Sequence, residues 1–321
     1  MKQLYIASCV AGGGIYRYRL ENDRLSLLDK TPCDRPMYMA REGDTLYVLL
    51  RAPFERSEES GVITYRIRED GSLTDPTPPV STAGTVGCHI AVSDGDIYVA
   101  NYVSGSVSRL GGACDKHEGK GKDPKRQDAP HAHSVTLSPS GKYLLSADLG
   151  LDRIYVYDRA LRLVSTVEAE AGSGPRHMVF SRDGKYLYVL NELASTVTSY
   201  LWKEGLLERL ESVSTLNEEN ERNPSIAAAI RLSSDGALLY ATNRGENTVA
   251  VFSVKDERLT KLASYPTEGD EPRDFALLAD EEYAIVTNQF SDCILLYRHE
   301  NGRLTPLASL PIKAPLAVME L

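Results

Sequence analysis

"GPRHMVFSRDGKYLYVLNELASTVTSY", residues 174–200, holds three short runs and two turns. "RHMVF" and "YLYVLN" alternate aromatic or β-branched residues with others at a period of two, the signature of strands. Between them lies Asp-Gly, a turn pair in which glycine accepts positive φ. "STVTSY" then reads as a third strand. The pattern also places Arg176-His177 at the start of the first strand and Asn191-Glu192 at the end of the second. In an antiparallel hairpin those two ends are neighbours, so the polar residues form either a local cluster or one wall of a site.

Working outward, the second strand has copies along the chain: "LYIAS", "LYVLL", "DIYVAN", "YLLSAD", "LLYATN" and "YAIVTN". Their last residues are Ser8, Leu50, Asn101, Asp148, Asn191, Asn243 and Asn288, at intervals of 42, 51, 47, 43, 52 and 45 residues. Repeats of that length with four short strands each indicate a β-propeller. The flanks agree. "HSVTLSPSGK", "AAIRLSSDGA" and "RDFALLADEE" supply a preceding strand a. "DRIYVYDR", "NTVAVFSV" and "DCILLYRH" supply strand c, and "LERLESVS", "LTKLASYP" and "LTPLASLP" a polar strand d. The expected fold is all-β, with seven blades of four antiparallel strands. The first blade lacks strand a at the N-terminus, and "APLAVMEL", 314–321, has the character to supply it and shut the ring.

Two segments are irregular. Residues 114–130, "CDKHEGKGKDPKRQDAP", read as a solvated loop into the fourth blade, and 217–223, "NEENERN", as an acidic connection into the sixth. The repeat continues across both, so 1–321 is expected to be a single domain. "AGGGIY" lacks the Lys-Ser/Thr ending of a phosphate loop and reads as a tight connection.

The 321 residues are 42% hydrophobic and carry a formal net charge of -9. That balance disfavours nucleic acid and anionic membrane surfaces as partners. No apolar stretch is long enough to span a bilayer, and "MKQLYIASC" shows no secretion signal. Cys9, Cys33, Cys88, Cys114 and Cys293 are odd in number and scattered, against a disulfide framework or a thiolate zinc site. A cytoplasmic location is expected. Cys88 and His89 are adjacent on a strand, and plain alternation would turn them to opposite faces.

In a propeller the starts of a strands and the ends of b strands gather on one face around the axis. Here those positions hold Cys88-His89, His131, His133, Arg176-His177 and Arg273-Asp274, facing Asn101-Tyr102, Asp148, Asn191-Glu192, Asn243-Arg244 and Asn288-Gln289. Such a polar cluster needs partners or a purpose. The alternatives are turn-forming roles for Asn191, Asn243, Asn288 and Asp148, and inter-blade ion pairs for Arg176, His177, Glu192 and Arg273. His117 and His299 lie in polar flanks and are expected at the surface.

"APHAHSVTLSPSGKYLLSADLGLDRIYVY", "GPRHMVFSRDGKYLYVLNEL", "IRLSSDGALLYATNRGENTVAVF" and "EPRDFALLADEEYAIVTNQFSDCILLY" together resemble the seven-bladed lactonase family. Its bacterial members include cytoplasmic 6-phosphogluconolactonases, and it is similar to fungal carboxymuconate cyclases. The resemblance spans essentially the whole chain and implies hydrolysis of 6-phospho-D-glucono-1,5-lactone. On that reading His177 is the base, Glu192 orients it, and His133 is the second candidate. Arg176 would stabilise the oxyanion, Arg244 and Arg273 would hold the phosphate, and His131, Asp148 and Asn191 would complete the substrate wall. One position departs: the family usually has an acidic residue where "SIAAAIRL" has Ala229, and Arg231 lies two residues on, on the same side of the strand.

No cofactor is implied, and no metal, although His131 and His133 in "PHAH" share one side of a strand. The expected partner is a phosphorylated sugar lactone, bound by a monomer or weak homodimer. Two alternatives stand beside this reading. One is a lactonase or cyclase for an unphosphorylated sugar or muconate-type lactone; the other is a propeller that only binds a ligand or protein.

Overall fold

A computed structural model of the chain describes residues 2–220, 224–255 and 258–321; the last three residues of the 217–223 connection lie outside them. Seven antiparallel sheets follow one another, one for each predicted blade. The innermost strands are Pro315–Glu320, Pro36–Glu42, Gly87–Ser93, Ala132–Leu137, Pro175–Phe180, Ile226–Leu232 and Pro272–Leu277. Each packs against the next, and Pro272–Leu277 meets Pro315–Glu320, which in turn meets Pro36–Glu42. The circle is therefore closed. Its clasp is the C-terminal strand, which pairs with Lys2–Ser8 through Ala7 opposite Ala317 and Ile6 opposite Val318.

Blade two departs from the four-stranded rule. Its outer strand is split into Leu73–Thr74 and Val80–Thr85, both paired with Glu59–Ile67. The gap is "DPTPP", where Pro76, Pro78 and Pro79 have no N–H to give to a ladder. Thr77 bridges the gap by donating its N–H to the Thr64 carbonyl at 3.1 Å.

Between neighbouring blades lies an apolar seam, and period-two strands supply it. Tyr188, Leu190 and Val197 of blade five, for example, pack with Ala227, Ile230, Leu239 and Phe252 of blade six. Burying one such large side chain is worth about 1.5–3 kcal/mol. Tyrosines of the b strands bury the ring and pin the next blade with the hydroxyl. Tyr5 donates to the Gly71 carbonyl at 2.6 Å, Tyr98 to the Arg159 carbonyl at 2.9 Å, and Tyr240 meets His299 Nε2 at 2.7 Å. His299 is thus buried in a seam, not at the surface. Among the described residues no helix is long and apolar enough to cross a membrane.

Candidate active site

The site is built by one device repeated seven times. Every innermost strand carries a β-bulge directly after the residue that pairs with the end of its b strand. Pro315, Pro36, Gly87, Ala132, Pro175, Ala227 and Pro272 make that last regular pair, opposite Ser8, Leu50, Asn101, Asp148, Asn191, Asn243 and Asn288. The extra residues are Leu316, Met37, Cys88, His133, Arg176, Ala228 and Arg273. A bulge breaks alternation and re-aims side chains. Cys88 and His89 therefore both face the axis, against the expectation of opposite faces, and so do Arg176 and His177. Arg176 Nη1 stands only 3.0 Å from its own neighbour's Nε2 in His177.

Six of the seven extra residues, with Tyr38 and His177, line a cavity of about 20 Å³, enough for one water molecule. A larger cavity of about 350 Å³ shares Met37, Cys88, His133 and Arg273 with it and adds Arg51, Tyr102, Arg126, Glu192 and Arg244. That is the size of a small-ligand site. A wider open groove of about 700 Å³ lies among the turns of blade two, where Arg41, Arg66 and Arg68 alternate with Asp44, Glu69 and Asp70 in solvent.

Glu192 is the hub. Its Oε2 accepts from Arg176 Nε at 2.9 Å and lies 2.8 Å from Arg244 Nη2, and its Oε1 accepts from Arg126. Burial alone would raise its carboxyl pKa, but Arg244, Arg176, His133 and Arg126 hold it well below the ordinary range. Glu192 makes no hydrogen bond to His177, so the expected Glu192–His177 dyad does not form. Its nearest imidazole is His133, with Nε2 at 3.6 Å. A guanidinium only donates, so His177 Nε2 must accept from Arg176 and Nδ1 carries the proton. That Nδ1 is buried without a hydrogen-bond partner among the described residues.

Burial first, then neighbouring Arg176, pushes both His133 and His177 well below the ordinary histidine value. His89 falls to about 3 through burial and then Arg231 and Arg176. All three rings are neutral near pH 7. Burial also lowers Arg176 to about 10, with Glu192 opposing the fall. The Cys88 thiol is pushed up to about 12 by burial and donates to the His133 carbonyl at 3.1 Å, so it is not a thiolate nucleophile.

Blade six answers blade five with backbone. The Ala228 carbonyl accepts from Arg176, and the Ala227 carbonyl accepts from Arg244 at 3.0 Å. Ala229 is fully buried. Arg231 reaches across to Asp274 Oδ1 at 2.6 Å and the Tyr38 hydroxyl at 3.4 Å. Asp274 also accepts the N–H groups of Phe275 and Val318.

The structure brings His133, Arg176, His177, Glu192, Arg244 and Arg273 together. It does not bring Asp148 or Asn191 to the cavity. Asp148 is wholly buried and accepts from His117 Nδ1 at 2.5 Å, from the His131 N–H at 2.8 Å and from the Leu151 N–H at 3.1 Å. Asn191 Nδ2 donates to Thr196 and Thr198 at 2.9 and 2.8 Å. Both are turn-formers at strand ends, the alternative reading of the sequence. His131 stacks flat on Tyr102 at 4.3 Å, its Nδ1 lies 3.0 Å from the Tyr102 carbonyl, and it is not among the residues that line either cavity. His117 is buried between Asp148 and Tyr157 and stacked on Tyr155, contrary to its expected exposure.

Sequence reasoning missed Arg126, Arg51 and Tyr38 in the cavity walls, and the structure puts Tyr102 there as expected. For Tyr38 the signal was present: a proline or small residue followed by two channel residues recurs in "PMY", "GCH", "PRH" and "PRD".

Fold and site together define a β-propeller with a small cationic cavity on its axis. A family model described as "Lactonase, 7-bladed beta-propeller" matches residues 3–319, and the chain belongs to that family. A protein of solved structure from Lactobacillus plantarum is 32% identical, with all of both chains covered and a TM-score of 0.90. The periplasmic gluconolactonase of Pseudomonas aeruginosa is 26% identical, covering 100% of this chain and 99% of that one, with a TM-score of 0.90. A candidate 6-phosphogluconolactonase from Bacteroides fragilis is also 26% identical, covering 100% and 98%, with a TM-score of 0.90.

Proposed function

We propose that the protein hydrolyses 6-phospho-D-glucono-1,5-lactone to 6-phospho-D-gluconate. The observation that carries this reading is the pairing of two cavities: about 350 Å³ walled by Arg126, Arg244 and Arg273, and about 20 Å³ beside His133, His177 and Arg176. The first suits a sugar phosphate, the second a single water.

His133 is the base we favour. It borders both cavities, and its Nε2 is not taken by a guanidinium, unlike that of His177. The water oxygen attacks the lactone carbonyl carbon as His133 takes its proton. The tetrahedral intermediate collapses by breaking the bond from that carbon to the ring oxygen. The ring oxygen leaves as a hydroxyl with the proton His133 returns, and the new carboxylic acid ionises. Arg176, which lines the small cavity and is held through Nε and Nη1, stabilises the developing oxyanion with its positive charge. His177 holds Arg176 in place, Arg273 grips the phosphate, and Arg244, bound to Glu192 and Glu271, braces the cavity wall. The five free cysteines suit a reducing compartment.

The second reading keeps this chemistry with an unphosphorylated lactone, and the likeness to a gluconolactonase favours it. Initial rates on freshly made 6-phosphogluconolactone and on gluconolactone, with spontaneous opening subtracted, decide. A strong preference for the phosphorylated ester is expected. Equal rates select the second reading, and no rate above background overturns both. His133→Ala should lower kcat by about 100- to 10,000-fold with little change in KM. If His133→Ala kept its turnover and His177→Ala lost it, the base would be His177.

A further inference from the structure

We infer that Arg126 selects for the phosphorylated substrate, held over the cavity by the loop that enters blade four. The inference rests on the lactonase reading and adds the group that separates a phosphate-bearing lactone from a plain one.

Residues 114–130 are charged and punctuated by glycine and proline, yet they are firmly tied to the fold. Cys114–Lys116 is the outer strand of blade three. Gln127 is wholly buried; its Oε1 accepts the N–H groups of Lys122 and Asp123 at 3.0 and 2.9 Å, and its Nε2 donates to the Leu149 carbonyl at 2.8 Å. Asp123 Oδ1 accepts the N–H groups of Lys125 and Arg126 at 2.8 and 3.2 Å. These bonds hold Arg126 at the cavity wall beside Tyr102, its Nη2 on Glu192.

The other cations differ in how much of their fork is free. Arg244 is 5% exposed and already bound to Glu192, Glu271 and the Ala227 carbonyl. Arg126 is 36% exposed, its Nη2 on Glu192 and the Tyr102 hydroxyl beside it as a neutral partner. Charge points the same way. Glu192 answers Arg126, Arg176 and Arg244, while Glu271 serves Arg244 as well and, at 3.9 Å, Arg273. Guanidinium groups outnumber carboxylates, and a phosphate dianion on Arg126 and Arg273 offsets the excess.

The test uses Arg126→Met, which keeps the stem and removes the fork, and Arg126→Lys, which keeps the charge. Both are assayed on the phosphorylated and the plain lactone, and inorganic phosphate is titrated by calorimetry. For Arg126→Met the ratio of the two kcat/KM values should fall about 10- to 100-fold, mainly through KM, and phosphate should bind more weakly by a similar factor. Arg126→Lys should recover part of both. Gln127→Ala, which frees the loop with Arg126 intact, should reproduce the fall in the ratio.

A ratio within about twofold of wild type for Arg126→Met overturns the inference. So does an equal loss on both lactones with a displaced pH profile, the mark of a residue that only neutralises Glu192. If the wild type opens neither lactone, the proposed function falls on its own. The phosphate titration then decides for Arg126, and an unchanged affinity in Arg126→Met sinks it.

Discussion

Blades five and six have the same skeleton and opposite contents. Both start the inner strand with a bulge, at Arg176 and at Ala228. Both turn on Ser-x-Asp-Gly, with the serine hydroxyl on the aspartate at 2.7 Å in Ser181 and 2.6 Å in Ser233. Both end the b strand in an asparagine that donates to a threonine hydroxyl on strand c. Blade five then presents Arg176, His177 and Glu192, whereas blade six presents Ala228, Ala229 and Arg244. Glu192 and Arg244 follow equivalent asparagines, carry opposite charge, and pair across the seam at 2.8 Å. The bulge is therefore a property of the fold, and the chemistry lies in what each copy hangs on it. The alanines take part too, because their small side chains let Arg176 and Arg244 reach backbone carbonyls.

The most severe way to break this arrangement is Glu192→Ala. It strands Arg126, Arg176 and Arg244 around a removed carboxylate, and breaking a buried pair costs about 3–5 kcal/mol. Denaturant unfolding should show that loss, and lactone opening should drop to background. A change under about 1 kcal/mol would mean that water solvates the arginines well enough without Glu192. The reciprocal change in blade six is milder. Ala228→Leu puts bulk where the Arg176 guanidinium approaches, so about 1–3 kcal/mol of overpacking cost is expected, with a fall in kcat as Arg176 moves. Unchanged turnover in a folded Ala228→Leu protein would show that the alanine run has no bearing on Arg176.

The blades were legible in the sequence because strand periodicity and turn chemistry are local, and each repeat states them again. The clasp was legible too, since "APLAVMEL" had the one missing pattern. The bulge was not. Alternation fixes faces only while register is unbroken, and nothing in "CHIAV" alone says where an extra residue enters. Hence Cys88 and His89 were set on opposite faces, and Glu192 was assigned to the histidine of its own blade. Its real partners are Arg176 of its own blade and Arg244, Arg126 and His133 from three other segments, a choice made by distances around the axis. Asp148 and Asn191 show the converse: a polar residue at a strand end has two uses, and the backbone took both. Arg126 was hidden by composition, because a loop rich in lysine, glycine and proline reads as solvent-exposed until the burial of Gln127 and His117 is seen.

The smallest effect separates the blades by protonation alone. His177→Ala makes blade five match Ala229 of blade six, removing one of three imidazoles held neutral by burial and nearby guanidinium groups. A histidine whose pKa is lowered on folding binds its proton in the unfolded chain first. Its stabilising effect is therefore complete above the unfolded value of about 6.5 and is lost as pH falls toward the folded value. Each such residue adds a slope of about 1.4 kcal/mol per pH unit below that point, and between about pH 5 and 6.5 the carboxylates are still ionised in both states. The absolute stability of His177→Ala will also carry a cavity cost, so the slope is the quantity to compare. Urea unfolding from pH 7.5 to 5 should give a stability that is nearly level above about pH 6.5 and falls below it for the wild type, with a shallower fall for His177→Ala. Equal slopes would mean that His177 takes up its proton in the folded chain, and that Arg176 does not keep its imidazole neutral.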